Sequence, residues 1–269
     1  MPAIPLEDNF SDIVGKAMRG LQLTDAQLAE AAGVTAEAVS KLRGGEWDDT
    51  TARQVAPTLG LKADALCALG HRAYSPAPIA LDGLAQFNTP FDDMTVNSYL
   101  VWDAATGEAA AFDTGADCAP MLDFLDEKKL RLKLILLTHT HGDHIFDLDR
   151  LKAKTGAPAF TGDREPLDGA ESFAIGRSWA MGNLKIETRL TWGHSKGGIT
   201  YVISGLEKPV AIVGDAIFAG SMGGGGVSYP AALQTNREQI LTLPGETILC
   251  PGHGPLTTVA EEREHNPFF

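Results

Sequence analysis

The apolar run Leu132–Leu137 is followed at once by Thr138-His139-Thr140-His141-Gly142-Asp143-His144. No regular helix or strand can aim three imidazoles and a carboxylate at that spacing to one side, because the backbone repeats every 3.6 or 2.0 residues. The run makes sense as an irregular loop wrapped around something that several side chains share. Neutral imidazole and carboxylate are ligands that suit zinc, iron or manganese. The chain has only seven histidines, and five of them follow strand-like apolar stretches: His139, His141 and His144 after 132–137, His194 after 184–190, and His253 after 247–250. Asp215 follows 210–213 in the same way. Strand ends in a packed sheet are rigid platforms, and loops leaving one edge can bring distant residues to one cleft. A single histidine is more often a surface or satisfied core group, but that reading does not account for the set.

The 269 residues divide by texture. Residues 1–72 read as short helices at 11–21, 25–32, 36–42, 50–59 and 63–69, with apolar residues at three-and-four spacing. Thr24 with Gln27 forms a capping-box pattern, Thr35 is a second N-cap, and Gly33 and Gly60 stand where helices should stop. Residues 73–80 carry two prolines within three positions and read as an extended linker. Residues 81–269 alternate strand-like runs at 96–102, 109–112, 132–137, 184–190, 200–203, 210–213 and 247–250 with helices at 119–129 and 146–154, an α+β mixture.

Other function classes are disfavoured. A net charge of −13 repels polyanions unless a local basic patch intervenes. Cys67, Cys118 and Cys250 are odd in number and far apart, so neither a disulfide framework nor a zinc ribbon is indicated, and a reducing cytoplasm fits. No basic-then-apolar leader opens the sequence, and no apolar run approaches the roughly 20 residues of a membrane helix.

Four separated motifs, THTHGDH at 138–144, GHSKGG at 193–198, GDAIF at 214–218 and PGHGP at 251–255, together resemble the metallo-β-lactamase superfamily, in the family's order across residues 81–269. The resemblance implies an αββα sandwich of two mixed sheets flanked by helices. It implies that His139, His141 and His194 hold one metal, that Asp143, His144 and His253 hold another, and that Asp215 bridges them. Two divalent ions, zinc or else iron or manganese, would then share an acidified water and polarise the bond under attack, with Asp143 as ligand and proton acceptor. Asp113 in FDTG resembles a family position that braces the metal loop from outside.

Asp215 in the bridging slot resembles thioesterase, lactonase and phosphodiesterase branches rather than true β-lactamases. The tail PGHGPLTTVAEEREHNPFF is similar to that of short bacterial type II glyoxalases, implying hydrolysis of a thioester or related small acyl substrate. Those relatives carry an arginine after the GD motif that helps hold an anionic thiol substrate, whereas 221–226 here reads Ser-Met-Gly-Gly-Gly-Gly. Lys196, Trp192 and Tyr229 are the substrate-contact candidates. Lactone hydrolysis and persulfide dioxygenation by a single iron are the alternatives within the family.

The run 21–45 resembles the helix-turn-helix of phage-repressor-type regulators, with a recognition helix at 35–43 that exposes Thr35, Glu37, Ser40 and Lys41. That resemblance implies a DNA-binding regulator with a metal- or ligand-sensing domain as the reading from another class. Residues 1–72 hold seven Lys/Arg against ten Asp/Glu, net −3, which offers little phosphate neutralisation. A small-molecule substrate is therefore the expected partner. The helical module is expected to cover the active site or to join two copies of the chain as a homodimer.

Overall fold

The computed structural model describes residues 4–269. Its first part is a bundle of five helices: α1 (Phe10–Leu21), α2 (Asp25–Ala32), α3 (Ala36–Arg43), α4 (Asp49–Val55) and α5 (Ala63–Gly70). Local chemistry sets the ends. Asn9 accepts from the Ser11 amide at 2.7 Å while Asp12 reaches back to the Asn9 amide at 2.9 Å, and Thr24 with Gln27 repeats the device on α2. Thr35 caps α3, and Gly33 ends α2 in the left-handed region at φ 69°. The helix expected over 50–59 stops at Val55, because Pro57 has no amide to donate to the preceding turn.

Two six-stranded sheets follow. The first comprises β1 (Leu84–Phe91), β2 (Met94–Asp103), β3 (Glu108–Phe112), β4 (Arg131–Leu136), β5 (Ala159–Gly162) and β6 (Glu171–Phe173), hydrogen-bonded in that order. Its first two pairings are antiparallel and the other three parallel; α6 (Ala119–Lys128) crosses from β3 to β4, α7 (Gly142–Ile145) and α8 (Leu148–Thr155) from β4 to β5, and a loop joins β5 to β6. The second comprises β7 (Ser178–Met181), β8 (Leu184–Leu190), β9 (Ile199–Ser204), β10 (Val210–Gly214), β11 (Ile248–Pro251) and β12 (Thr257–Thr258). There β10 and β11 are parallel and the remaining pairs antiparallel, with α9 (Tyr229–Thr235), a π-helical turn (Asn236–Ile240) and α10 (Val259–His265) on the outer face.

The period of two along each strand builds the layers. Tyr99 and Val101 of β2, Val210 and Ile212 of β10, and Ile248 and Cys250 of β11 point between the sheets. Leu100 packs instead against α6 and α8 with Met121, Leu125 and Leu151, while Ala211, Val213 and Leu249 pack outward with Ile240, Leu243 and Val259. The result is the expected αββα arrangement of two mixed sheets. All three cysteines are buried free thiols, and no described helix is long and apolar enough to cross a membrane.

Three local expectations are corrected. The helix expected over 146–154 begins only at Leu148, because Asp147 leaves the helical path and its Oδ2 accepts from the Cys118 amide at 2.8 Å. The short strands β5, β6 and β7 carry too few alternating residues to stand out in the sequence. The histidine loop is irregular only through His141, after which Gly142–Ile145 form one helical turn.

The helical bundle shares a core with the second region. Met222, Tyr229, Ala232 and Phe268 are buried in the same apolar cluster as Ile13, Ala17, Leu28, Leu42 and Leu66. Tyr74, in the segment after α5, donates to Glu262 of α10 at 3.3 Å. Glu262 is fully buried and also accepts from Thr257 (2.7 Å), Asn266 (2.7 Å) and the Gly220 amide (3.0 Å). Burial raises its carboxyl from 4.5 to about 7 against the pull of these donors. The folded state therefore holds this proton more tightly than the unfolded chain does. Its stabilising contribution is complete below about 4.5 and is lost as the pH rises through about 7. Urea midpoints should fall between pH 5 and pH 8, and Glu262→Gln should flatten that dependence. An unchanged slope in the variant would rule out Glu262 as its source.

Candidate metal centre

The loops leaving one edge of both sheets carry all seven ligand candidates into one place. His139 and His141 follow β4, Asp143 and His144 lie on α7, His194 follows β8, Asp215 follows β10 and His253 follows β11. One ligand atom from each of His139, His141, His194 and Asp215 falls within a 4.8 Å group, and Asp143, His144 and His253 form a second such group. Asp215 stands between them: its Oδ1 lies 3.2 Å from His144 Nε2, and its Oδ2 lies 3.3 Å from His194 Nε2 and 3.5 Å from His253 Nε2. Asp143 Oδ2 is 3.3 Å from His253 Nε2 and 3.5 Å from His144 Nε2.

The outward ring nitrogens show which way the inward ones face. His144 Nδ1 meets Asp113 Oδ2 at 2.8 Å, His194 Nδ1 meets the Gly224 carbonyl at 3.0 Å, and His253 Nδ1 meets the Thr95 carbonyl at 2.7 Å. These partners are acceptors, so each Nδ1 carries a proton and Nε2 is the ring nitrogen turned inward. His139 Nδ1 lies 3.0 Å from Thr138 Oγ1, whose own proton goes to Asp113 at 2.7 Å. Asp113 thus braces two ligand-bearing positions, from a backbone held at φ 57°. A leucine or valine could not hold that conformation cheaply.

The arrangement fits cations. His144 Nε2 and Asp215 Oδ1 are buried with no hydrogen-bond partner. Buried polar atoms left unpaired cost about 1–3 kcal/mol apiece, and a divalent ion between these two would remove that cost. The walls close in as far as side-chain-free backbone permits: a Cβ on Gly252 would overlap Asp215 Oδ1 and lie 2.6 Å from His144 Cε1. Electrostatics agrees. Burial opposes charge on His144 and His253, yet Asp215 outweighs it, joined at His144 by Asp113 and at His253 by Asp143, raising the two imidazoles to about 10 and about 11. Burial likewise opposes ionisation of Asp215, but the same two rings hold its carboxyl well below the usual range. His139 and His194 are pushed down by burial and stay neutral. The carboxylates call for positive charge, which a divalent ion would supply in place of the protons that His144 and His253 otherwise hold.

The substrate-contact candidates separate. Lys196 is exposed beside His194, its amide donating to Glu165 at 2.7 Å, and Trp192 is half-buried with its carbonyl accepting from Thr235 at 3.0 Å. Tyr229 is not brought to the centre: its ring lies against Gly20 of α1, where any Cβ would overlap it, inside the core shared with the helical bundle. The carbonyls of Thr95 and Gly224 carry no sequence signal. In the bundle, Thr35, Glu37, Ser40 and Lys41 are exposed as expected, but Lys41 pairs with Glu37 at 2.8 Å and Arg43 with Asp25 at 3.3 Å.

Comparison with known proteins places this geometry. The profile described as "Metallo-beta-lactamase superfamily" matches residues 91–253, a span that holds all seven ligand candidates. Hydroxyacylglutathione hydrolase GloC of Haemophilus influenzae is 27% identical over 198 residues, 64% of this chain and 92% of that protein. The human mitochondrial persulfide dioxygenase ETHE1 is 30% identical over 211 residues, 74% of this chain and 79% of that one. Among solved structures, the BLEG-1 B3 metallo-beta-lactamase superposes with a TM-score of 0.60 at 27% identity, covering 69% of this chain and 98% of its own.

Proposed function

The chain belongs to the metallo-beta-lactamase superfamily, and from that premise we propose that it is a two-metal hydrolase acting on a thioester or a related small acyl compound. The observation that carries this reading is Asp215, with one oxygen turned to His144 and the other to His194 and His253, between two groups of candidate ligands. Cations held there would acidify a water and polarise the carbonyl of the scissile bond. The chain's own residues do the rest. His139, His141, His194 and Asp215 would hold one ion, and Asp143, His144 and His253 the other, with Asp215 common to both. Burial opposes ionisation of Asp143, but His253 and His144 together hold its carboxyl below the usual range, and its partly exposed carboxylate can take a proton from the attacking water. Asp113 and the Gly224 and Thr95 carbonyls keep three imidazoles in the tautomer that binds metal. Lys196, exposed beside His194, would contact an acidic group on the acyl side of a substrate.

The likeness to GloC supports the thioester assignment, and the likeness to ETHE1 supports a second reading, oxidation of a persulfide at one iron. Metal quantification with a panel of thioesters, lactones, lactams and phosphodiesters decides between them. The expected result is two metals per chain and repeated turnover of a thioester or lactone. Full metal loading with no hydrolysis across the panel ends the hydrolase reading, and oxygen uptake with a persulfide would install the second.

A further inference from the structure

The segment ahead of α1 lies against the metal loops. Residues 5–7 run over Gly254, one position past His253: a Cβ on Gly254 would lie 3.2 Å from the Glu7 nitrogen, 3.6 Å from the Glu7 Cβ and 3.6 Å from the Pro5 carbonyl. The next residue is tied down. Asp8 Oδ2 accepts from Ser221 Oγ at 2.5 Å and pairs with Lys16 of α1, whose Nζ also donates to the Met222 carbonyl at 2.8 Å. Lys16 sits 5.1 Å over the Phe218 ring, which itself meets the His253 ring edge-on at 5.6 Å. Asp8 and Lys16 are both nearly buried and neutralise each other, so the charge that remains at this edge is Glu7.

Glu7 is half-buried, and no cation among the described residues forms an ion pair with it. Burial pushes its carboxyl upward while His253 pulls it back, and its Cβ stands 3.6 Å from where a Cβ on Gly254 would be, one position past a candidate ligand.

We propose that Glu7 is a specificity-determining residue of the metal cleft, contributed by the segment that leads into the helical bundle, and that it selects substrates whose leaving arm is neutral or cationic. This rests on the metal-site reading above. It gives the helical module a chemical role at the site, and it separates the chain from hydrolases of thioesters with acidic thiol arms. The 221–226 stretch points the same way. Residues 221–226 are serine, methionine and glycines and bring no cation to this edge, and the contacts of Asp8 with Ser221 and of Lys16 with the Met222 carbonyl tie that stretch to the segment that carries Glu7.

The test uses the full chain loaded with cobalt(II) and three small thiols that differ in charge: cysteamine, 2-mercaptoethanol and 3-mercaptopropionate. Their binding is followed by the thiolate-to-cobalt absorption band. The wild type should bind cysteamine about tenfold more tightly than mercaptopropionate, as one unit charge facing a partly desolvated site implies. Glu7→Gln should bring the two within about twofold, and Glu7→Lys should reverse the order. Mercaptoethanol should stay within about twofold across all three proteins, which a general loosening of the fold would not allow. Equal discrimination in wild type and Glu7→Gln overturns the assignment of Glu7 and leaves the metal site standing. A well-folded protein that takes up no cobalt overturns both.

Discussion

Asp215→Ala should reduce turnover of any accepted ester or thioester by about 10³-fold or more and leave the chain folded. The reason is geometric. Every other candidate ligand faces one group, so its loss weakens one ion, whereas the two Asp215 oxygens reach His144 on one side and His194 and His253 on the other. Alanine would remove the shared ligand and the charge that both ions need. Metal content should fall from two ions per chain to one or fewer. The fold should survive, because Asp215 bonds no structural donor, its Oδ1 being without a hydrogen-bond partner. The metal-free variant should therefore melt near the wild type, while the stabilisation gained on adding metal shrinks, since a ligand that binds only the folded state raises stability by mass action. Full activity retained with one ion per chain would show that the chemistry needs a single metal and would move the balance toward the persulfide reading.

The clustering of the seven candidates was legible because an apolar run stands shortly before each of them, and because three imidazoles and a carboxylate within six positions suit no regular element. Thr24, Thr35 and Gly33 announced helix boundaries for a similar reason: the capping chemistry is local. What escaped was whatever depends on the backbone or on distant approach. The carbonyls of Thr95 and Gly224 that orient two imidazoles could belong to any residue type. Tyr229 looked like a pocket aromatic because nothing in its neighbourhood shows that Gly20, more than two hundred positions earlier, leaves a gap for its ring. Glu7 was one acid among ten in a module read for its helices, and only the fold brings it against Gly254, one position past His253. The break between α7 and α8 follows from one side chain, Asp147, answering the Cys118 amide from another element, a contact that no periodicity encodes.

The same dependence on distant packing makes the helical bundle inseparable from the enzyme. A chain beginning at residue 73 should aggregate or remain metal-poor, although the matched family region 91–253 would be intact. Truncation uncovers Met222, Tyr229 and Phe268, three large side chains buried in a core whose other members come mainly from the five helices. At about 1.5–3 kcal/mol each, exposing them removes roughly 5–9 kcal/mol, comparable with the whole net stability of about 5–15 kcal/mol of an ordinary domain. The damage falls on the site as well. Lys16 no longer holds the Met222 carbonyl and Asp8 no longer holds Ser221, so the stretch that carries Gly224, the acceptor for His194, loses its anchor. Size-exclusion profile, thermal melt and metal content of the 73–269 fragment measure this directly. A monodisperse fragment with two metals and wild-type turnover would show the helices to be an appendage free for another task such as reading DNA. Aggregation, or a soluble fragment that has lost metal, would instead mean that the bundle was retained because the hydrolase can no longer close its core or hold its histidines without it.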